Sequence, residues 1–220
     1  WYNTTGDQTL TGTSGDDILT GGAKSDTINA GAGADIIVGG TGLDTINAGA
    51  GADIVAGGGG ADTINLGLGD GAADIVQYSA FTDGSTDLTL ANADHINQFE
   101  AGTDKIQMLD AGISLNGTGT AAVTSGGADL TGTTNGVFYI NNATAVSLDS
   151  LANISAAIGT LTGVGAGEKA VFVVQNKAGT ETGIYAFTDD GGANTAIAAA
   201  ELDLLAVIDT TITNTDVAVI

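Results

Sequence analysis

Six aspartates stand nine residues apart, at Asp17, Asp26, Asp35, Asp44, Asp53 and Asp62. Two residues after each comes an aliphatic side chain: Leu19, Ile28, Ile37, Ile46, Val55 and Ile64. A seventh copy, Asp74 with Val76, follows after three extra residues, and glycine fills most of the positions between. A fixed short period of this kind builds a stacked solenoid, in which each unit buries its apolar residue only against its neighbours. A flexible glycine-rich linker has no reason to keep an aliphatic residue at every ninth position.

Each unit reads as a six-residue turn ending in Asp, followed by a three-residue strand. In Ala48-Gly49-Ala50-Gly51-Ala52-Asp53 the glycines permit backbone angles that other residues resist. Ile54-Val55-Ala56 then forms a strand with Val55 pointing inward. Stacked strands lie about 4.8 Å apart, so carboxylates of successive coils approach closely and need a cation between them. Carboxylate and carbonyl oxygens are hard ligands, which select calcium over softer metals. A longer period overlies the short one. Asp26-Thr27-Ile28-Asn29 recurs as Asp44-Thr45-Ile46-Asn47 and Asp62-Thr63-Ile64-Asn65, eighteen residues apart. Two units therefore make one coil with two faces. Asp17, Asp35 and Asp53 fall on one side and Asp26, Asp44 and Asp62 on the other, each side with its own row of ions. Asn29, Asn47 and Asn65 are expected to form an amide ladder along one edge.

Units such as Gly39-Gly40-Thr41-Gly42-Leu43-Asp44-Thr45-Ile46-Asn47 resemble the nonapeptide of RTX proteins. The resemblance is strong over residues 12–77 and implies a calcium-bound parallel β-roll. It also implies that turn carbonyls at the second and fourth positions join the sixth-position aspartate around calcium. Carried onto this chain, the second positions are Gly22, Gly31, Gly40, Gly49, Gly58 and Gly67. The fourth positions are Gly15, Gly33, Gly42, Gly51, Gly60 and Gly69, and the aspartates run from Asp17 to Asp74. Three departures stand out. Lys24 and Ser25 replace the usual pair before Asp26, so an ammonium either weakens one site or swings clear of it. Thr13 replaces a second-position glycine. The break around Asp70-Gly71-Ala72 marks a bulge or the end of the regular roll.

Charge narrows the function classes. The chain has 220 residues and a net charge of −22, with 26 acids against four basic residues. That excludes electrostatic binding to nucleic acid and argues against anionic lipid. Hydrophobic residues make up 43%, too many for a chain kept disordered by its acidity. Without cysteine there are no disulfides or thiolate zinc sites, which leaves calcium as the staple. No apolar run is long enough for a transmembrane helix, so no membrane insertion is expected. The start at Trp1 and the lack of a signal peptide read as a cut within a longer polypeptide.

Past the roll the period loosens. The segment Ala93-Asp94-His95-Ile96-Asn97-Gln98-Phe99-Glu100-Ala101-Gly102-Thr103-Asp104-Lys105-Ile106 is similar to the stretch that follows β-rolls in RTX proteases and other type I secreted proteins. The resemblance implies two strands flanking a turn, with Ile96, Phe99, Ile106 and Met108 in the core. Asp94 and Asp104 have two readings, a further calcium site or plain turn residues. His95, the single histidine, reads as structural or exposed. Residues 116–135 read as loops or weak edge strands. Val137–Ile140, Ala170–Val174 and Gly183–Phe187 read as strands. Leu148, Leu151, Ile154, Ile158 and Leu161 mark a helical stripe with Ser147 as N-cap, and Thr195 is expected to cap a second helix through Ala196–Ala206. Asp190, Asn194, Ile197 and Glu201 match positions of an EF-hand-like loop, but Gly192 and Thr195 break the pattern, which favours an acidic turn. Asp216-Val217-Ala218-Val219-Ile220 resembles the uncleaved C-terminal signal of type I secreted RTX proteins, and a plain terminal strand fits the same residues.

The expected fold is mainly β: a calcium-stapled parallel β-roll at 1–77, an extension at 78–115, and a β-rich cap at 116–220 that covers the open end and carries the secretion signal. The expected function is non-enzymatic, a calcium-dependent folding and export module of a surface-layer or adhesin-like protein. Its expected partners are calcium, a type I secretion apparatus and other copies assembling at the cell surface. The alternative is the C-terminal part of an RTX protease or lipase. No His-Glu-x-x-His or Gly-x-Ser-x-Gly motif occurs in these residues.

Overall fold

The computed structural model describes residues 6–80, 90–109, 121–123, 135–140, 148, 150–158, 169–176, 178–188, 201–212 and 216–219. Five strands of the roll run six residues, through the second-position glycine, and not the three residues expected, and successive strands fall alternately into two sheets. One sheet takes β1 (Thr9–Thr11), β3 (Thr27–Ala32), β5 (Thr45–Ala50) and β7 (Thr63–Asn65). The other takes β2 (Ile18–Ala23), β4 (Ile36–Thr41), β6 (Ile54–Gly59) and β8 (Ile75–Tyr78). All these neighbours pair in parallel. Ile28 lies opposite Ile46 and Ile46 opposite Ile64, while Ile37 lies opposite Val55, so one coil is two nine-residue units.

The inward aliphatic residues of the two sheets meet between them. Ile28, Ile37, Ile46, Val55 and Ile64 are fully buried in one continuous core. On the outer face Ile18, Ile36 and Val38 are exposed, as strand alternation requires. On the other sheet Asn47 Nδ2 donates to Asn29 Oδ1 at 2.8 Å, Asn65 to Asn47 at 2.7 Å, and Asn97 to Asn65 at 3.0 Å. The amide ladder is therefore present and runs one coil further than its sequence repeat.

The three-residue insertion is a bulge. Val55 pairs with Val76, and the surplus residues loop out at Asp70, whose carboxylate accepts the amides of Gly51 and Ala72. The stack continues beyond it. After a 3-10 turn at Leu90–Asn92, β9 (Asp94–Asn97) pairs with β7, and β10 (Lys105–Met108) pairs with β8. Ile96, Phe99, Ile106 and Met108 are buried, as the resemblance implied, and His95 is exposed.

Later strands extend the same two sheets. β11 (Ala121–Val123), β12 (Asn135–Ile140), β13 (Lys169–Gln175), β14 (Thr182–Thr188) and β15 (Leu202–Ile208) join the first sheet, with β15 parallel to β9. β16 (Val217–Val219) adds to the second sheet on β10. β13, β14 and β15 pair antiparallel. The helix α1 (Leu151–Ile158) buries Ile154 and Ile158, with Leu148 buried just before it. The second helix expected through Ala196–Ala206 is overturned for its described part, because Leu202–Ile208 is strand β15. That run is apolar on both faces, and such a run looks alike in a buried strand and a buried helix. The readings for Ser147, Leu161, Thr195, Asp190, Asn194 and Ile197 fall outside the described residues.

With calcium present, Ile46→Ala is expected to cost about 2–5 kcal/mol, because it opens a cavity in a core that cannot collapse sideways. Ile36→Ala, on the outer face, is expected to cost under about 1 kcal/mol. Denaturant melts of both variants measure the contrast.

Candidate metal centre

The aspartates stack at the junction of turn and strand, and each binds the coil before it. Asp17 N–H donates to Asp35 Oδ1 at 2.8 Å, Asp35 to Asp53 at 2.8 Å, and Asp53 to Asp74 at 2.9 Å. In the other row Asp26 N–H donates to Asp44 Oδ1 at 2.7 Å and Asp44 to Asp62 at 2.8 Å. One oxygen of each carboxylate is thereby used. The second is not. In Asp26, Asp35, Asp44, Asp53 and Asp62 the Oδ2 atom is buried without a hydrogen-bond partner. An orphaned, buried, anionic oxygen is costly unless a cation meets it.

The turns shape the space around that oxygen. Second-position Gly22, Gly31, Gly40, Gly49, Gly58 and Gly67 all have φ between 99° and 119°, a left-handed conformation open to glycine. Fourth-position Gly33, Gly42, Gly51, Gly60 and Gly69 also have positive φ, whereas Gly15 does not share it. First-position Gly39 is needed for space, since a Cβ there would lie 2.5 Å from both Asp44 Oδ2 and the Gly57 carbonyl oxygen. No group of three or more Asp, Glu, His or Cys side chains suited to a metal occurs among the described residues. An ion in these rows therefore depends on backbone carbonyls beside the stacked carboxylates, a donor set of hard oxygens.

Burial raises the carboxyl pKa values. Asp53 and Asp62 are pushed up to about 6 and Asp74 to about 7, chiefly by desolvation. A neighbour's amide partly offsets the rise, and the next carboxylate in the row adds to it. Asp44 and Asp104 are raised for the same leading reason. Asp70, on the outward bulge, is lowered by the amides of Ala72 and Gly51.

The departures resolve in physical terms. Lys24 takes the fourth-position conformation at φ 84°, and its N–H bonds Thr41 O at 2.7 Å, as Gly42 N–H bonds Gly59 O. Its side chain is exposed and the Asp26 Oδ2 receives nothing from it, so the ammonium swings clear. Thr13 does not adopt the second-position conformation, and its N–H and Oγ1 both donate to Asp17 Oδ2, at 2.6 and 2.9 Å. Asp94 and Asp104 are not loose turn residues. They are buried in the rows, accepting Asp62 N–H at 2.9 Å and Asp74 N–H at 3.0 Å. Asp216 was read only as part of a terminal motif. It is fully buried on the last coil, in register with Lys105 and not with Asp104, and is bonded by Lys105 Nζ at 3.2 Å. The shared pattern Asp-x-aliphatic in Asp94-His95-Ile96 and Asp104-Lys105-Ile106 is the sequence signal that points to the first two places; Asp216 does not follow it, because Val217 and not Ala218 pairs with the inward Ile106.

The family model of the RTX calcium-binding nonapeptide repeat, in four copies, matches residues 2–37, 11–46 and 38–72. Over that segment the chain carries RTX nonapeptide repeats in a parallel β-roll, and repeats of this kind imply calcium at several sites. Among solved structures it is similar to the AlgE6R3 subunit of the Azotobacter vinelandii mannuronan C5-epimerase, 18% identical over 94% of this chain and 80% of that one, with a TM-score of 0.40. It is also similar to the AlgE6R2 subunit, 17% identical over 96% of this chain and 91% of that one, with a TM-score of 0.37. No curated protein matches it. No helix among the described residues is long and apolar enough to cross a membrane.

Two predictions arise here. The ordinary aspartate pKa of 3.8 rises to about 6 at Asp53 and Asp62 and about 7 at Asp74 in the folded, ion-free roll. A raised folded pKa contributes stability below the unfolded value and loses it as pH climbs through the folded one. In chelator, β-structure by circular dichroism should therefore grow as pH falls from about 7 to about 4, and saturating calcium should flatten that dependence. Separately, Lys24→Gly relieves a left-handed lysine, a strain of roughly 1–2 kcal/mol, against glycine's added unfolded entropy of about 0.5–1 kcal/mol. A net gain of about 0.5–1 kcal/mol is expected in calcium melts.

Proposed function

We propose that this chain is the calcium-dependent folding module of an exported protein with a surface-layer or adhesin-like role. The carrying observation is the set of five buried Oδ2 atoms left without a partner in two regular rows. Asp26, Asp35, Asp44, Asp53 and Asp62 would hold the ions, together with carbonyls of the second- and fourth-position turn residues. Calcium, when bound, supplies the positive charge that a chain of net charge −22 lacks between its coils. Extracellular calcium modules bind at about 10⁻⁴–10⁻³ M, an affinity too weak for the cytosol to fill. The chain then stays open inside the cell, which suits passage through a type I exporter, and closes outside. The assembly role draws its support from the long uniform roll, its exposed outer faces and its scarcity of basic residues. On this reading residues 1–77 take the ions, 78–115 extend the stack and 116–220 close it.

The C-terminal strand carries two loads in this proposal. Val217 is buried and β16 completes the second sheet, so the terminal residues pack as well as signal. Deleting Asp216–Ile220 is expected to lower secretion and also to lower the melting temperature with calcium. Unchanged secretion would remove the signal from the proposal. The central test is circular dichroism of the chain in chelator, calcium and magnesium at neutral pH. Calcium alone should restore the β spectrum, because magnesium demands octahedral geometry and sheds water reluctantly. Identical spectra in chelator and calcium would refute the function.

A further inference from the structure

The two rows of carboxylates are not uniform, and the difference follows one residue. Each of the five aspartates with an orphaned Oδ2 has, four residues before it, a glycine at positive φ: Gly22, Gly31, Gly40, Gly49 and Gly58. These glycines sit in the strand ladders, Gly22 opposite Gly40 opposite Gly58 and Gly31 opposite Gly49. None of their amides reaches that Oδ2. Asp17 and Asp104 have Thr13 and Glu100 at that place, neither at positive φ. There the amide does turn onto the carboxylate. Thr13 N–H donates to Asp17 Oδ2 at 2.6 Å, and Glu100 N–H donates to Asp104 Oδ2 at 2.7 Å.

Asp94 and the C-terminal Asp216 are met by other protein donors. Tyr78 OH donates to Asp94 Oδ2 at 2.9 Å. Asp216 Oδ1 accepts Gly102 N–H at 3.1 Å and Lys105 Nζ at 3.2 Å. Lys105 stands in register with Ile75, so an ammonium occupies a place that the coil before gives to an outward aliphatic residue. It bends back over the row, also donating to Asp104 O at 3.0 Å.

We propose that, among these aspartates, the residue four before decides whether the carboxylate takes an ion, and that protein donors meet the carboxylate where that residue is not a left-handed glycine. Asp26, Asp35, Asp44, Asp53 and Asp62 are then ion ligands through Oδ2. Asp17, Asp94, Asp104 and Asp216 are buttresses that hold the stack by hydrogen bonds and, at Asp216, by an internal cation. An amide already pointing at an oxygen takes one of its lone pairs, blocks that direction of approach and lowers the desolvation penalty that favours an ion. This deepens the proposed function and rests on it, since it assigns which carboxylates do the binding.

The test counts calcium ions on the full chain by native mass spectrometry at saturating calcium, with circular dichroism confirming that each variant folds. Thr13→Gly restores the left-handed position and adds no atoms, so it should gain one ion over wild type. Asp94→Asn keeps an oxygen for Asp62 N–H and can donate to Tyr78, so its count should equal wild type. Asp44→Asn should lose at least one ion. An unchanged count for Thr13→Gly, or a lowered count for Asp94→Asn, overturns the rule. Absence of bound calcium on the wild-type chain would instead sink the calcium function itself, so the two failures are distinguishable.

Discussion

The structure depends on one repeated hydrogen bond, from the amide of each aspartate to a carboxylate oxygen of the aspartate one coil on. It fixes the stacking distance at the corner of every coil, at 2.7–2.9 Å for the inner members. It also uses one oxygen only. What remains is a column of desolvated, half-satisfied anions along each edge of a two-sheet core. Every other feature answers that column. Glycines give it room, burial raises its pKa values, and the core of Ile28, Ile46 and Ile64 against Ile37 and Val55 supplies the apolar burial that keeps water out.

Much of this was legible in the residues. The nine- and eighteen-residue periods gave the parallel register, the inward aliphatic file and the asparagine ladder, because a solenoid turns sequence spacing directly into spatial neighbours. Legibility fell where spacing broke. Asp94 and Asp104 belong to the same rows as Asp62 and Asp74, while Asp216 lies one residue out of that register; the residues inserted before them differ in length, and no period could align them. The donors that meet them were equally hidden. Tyr78 and Asp94 are 16 residues apart, and Lys105 and Asp216 are 111 apart. The strand at Leu202–Ile208 was missed for a different reason. Its residues are buried on both faces between β14 and β9, so the alternation that marks a half-buried strand is absent.

The cap answers a problem that any open solenoid has. Its last coil exposes strand edges and an apolar cross-section. Here β15 pairs parallel to β9 in one sheet and β16 pairs parallel to β10 in the other, so both edges at that end are covered by strands from the same segment of chain. The cap then departs from the roll by switching to the antiparallel pairs β13–β14 and β14–β15, the first joined by a hairpin that turns at Gly179. Tyr185 OH on Leu148 O at 2.6 Å and the edge-to-face contact of Phe172 with Phe187 are the ordinary means of a globular core.

The start of the second row shows the same logic at its smallest scale. Gln8 stands where the period would place an aspartate before Asp26, and its N–H makes the usual bond to Asp26 Oδ1 at 2.7 Å. Its side-chain amide donates to the Gly21 carbonyl at 2.8 Å. The backbone bond of the ladder is kept while the charge is removed and a turn carbonyl is taken out of play. Asp26 thus has a carboxylate neighbour on one side only, whereas Asp44 has one on each. In a nearest-neighbour stack, repulsion and shared ions act only between adjacent coils. An end member therefore loses one interface when its charge is removed, and a middle member loses two. The greater weight of Asp44 over Asp26 follows from this topology, with no role required of the exposed Lys24 ammonium.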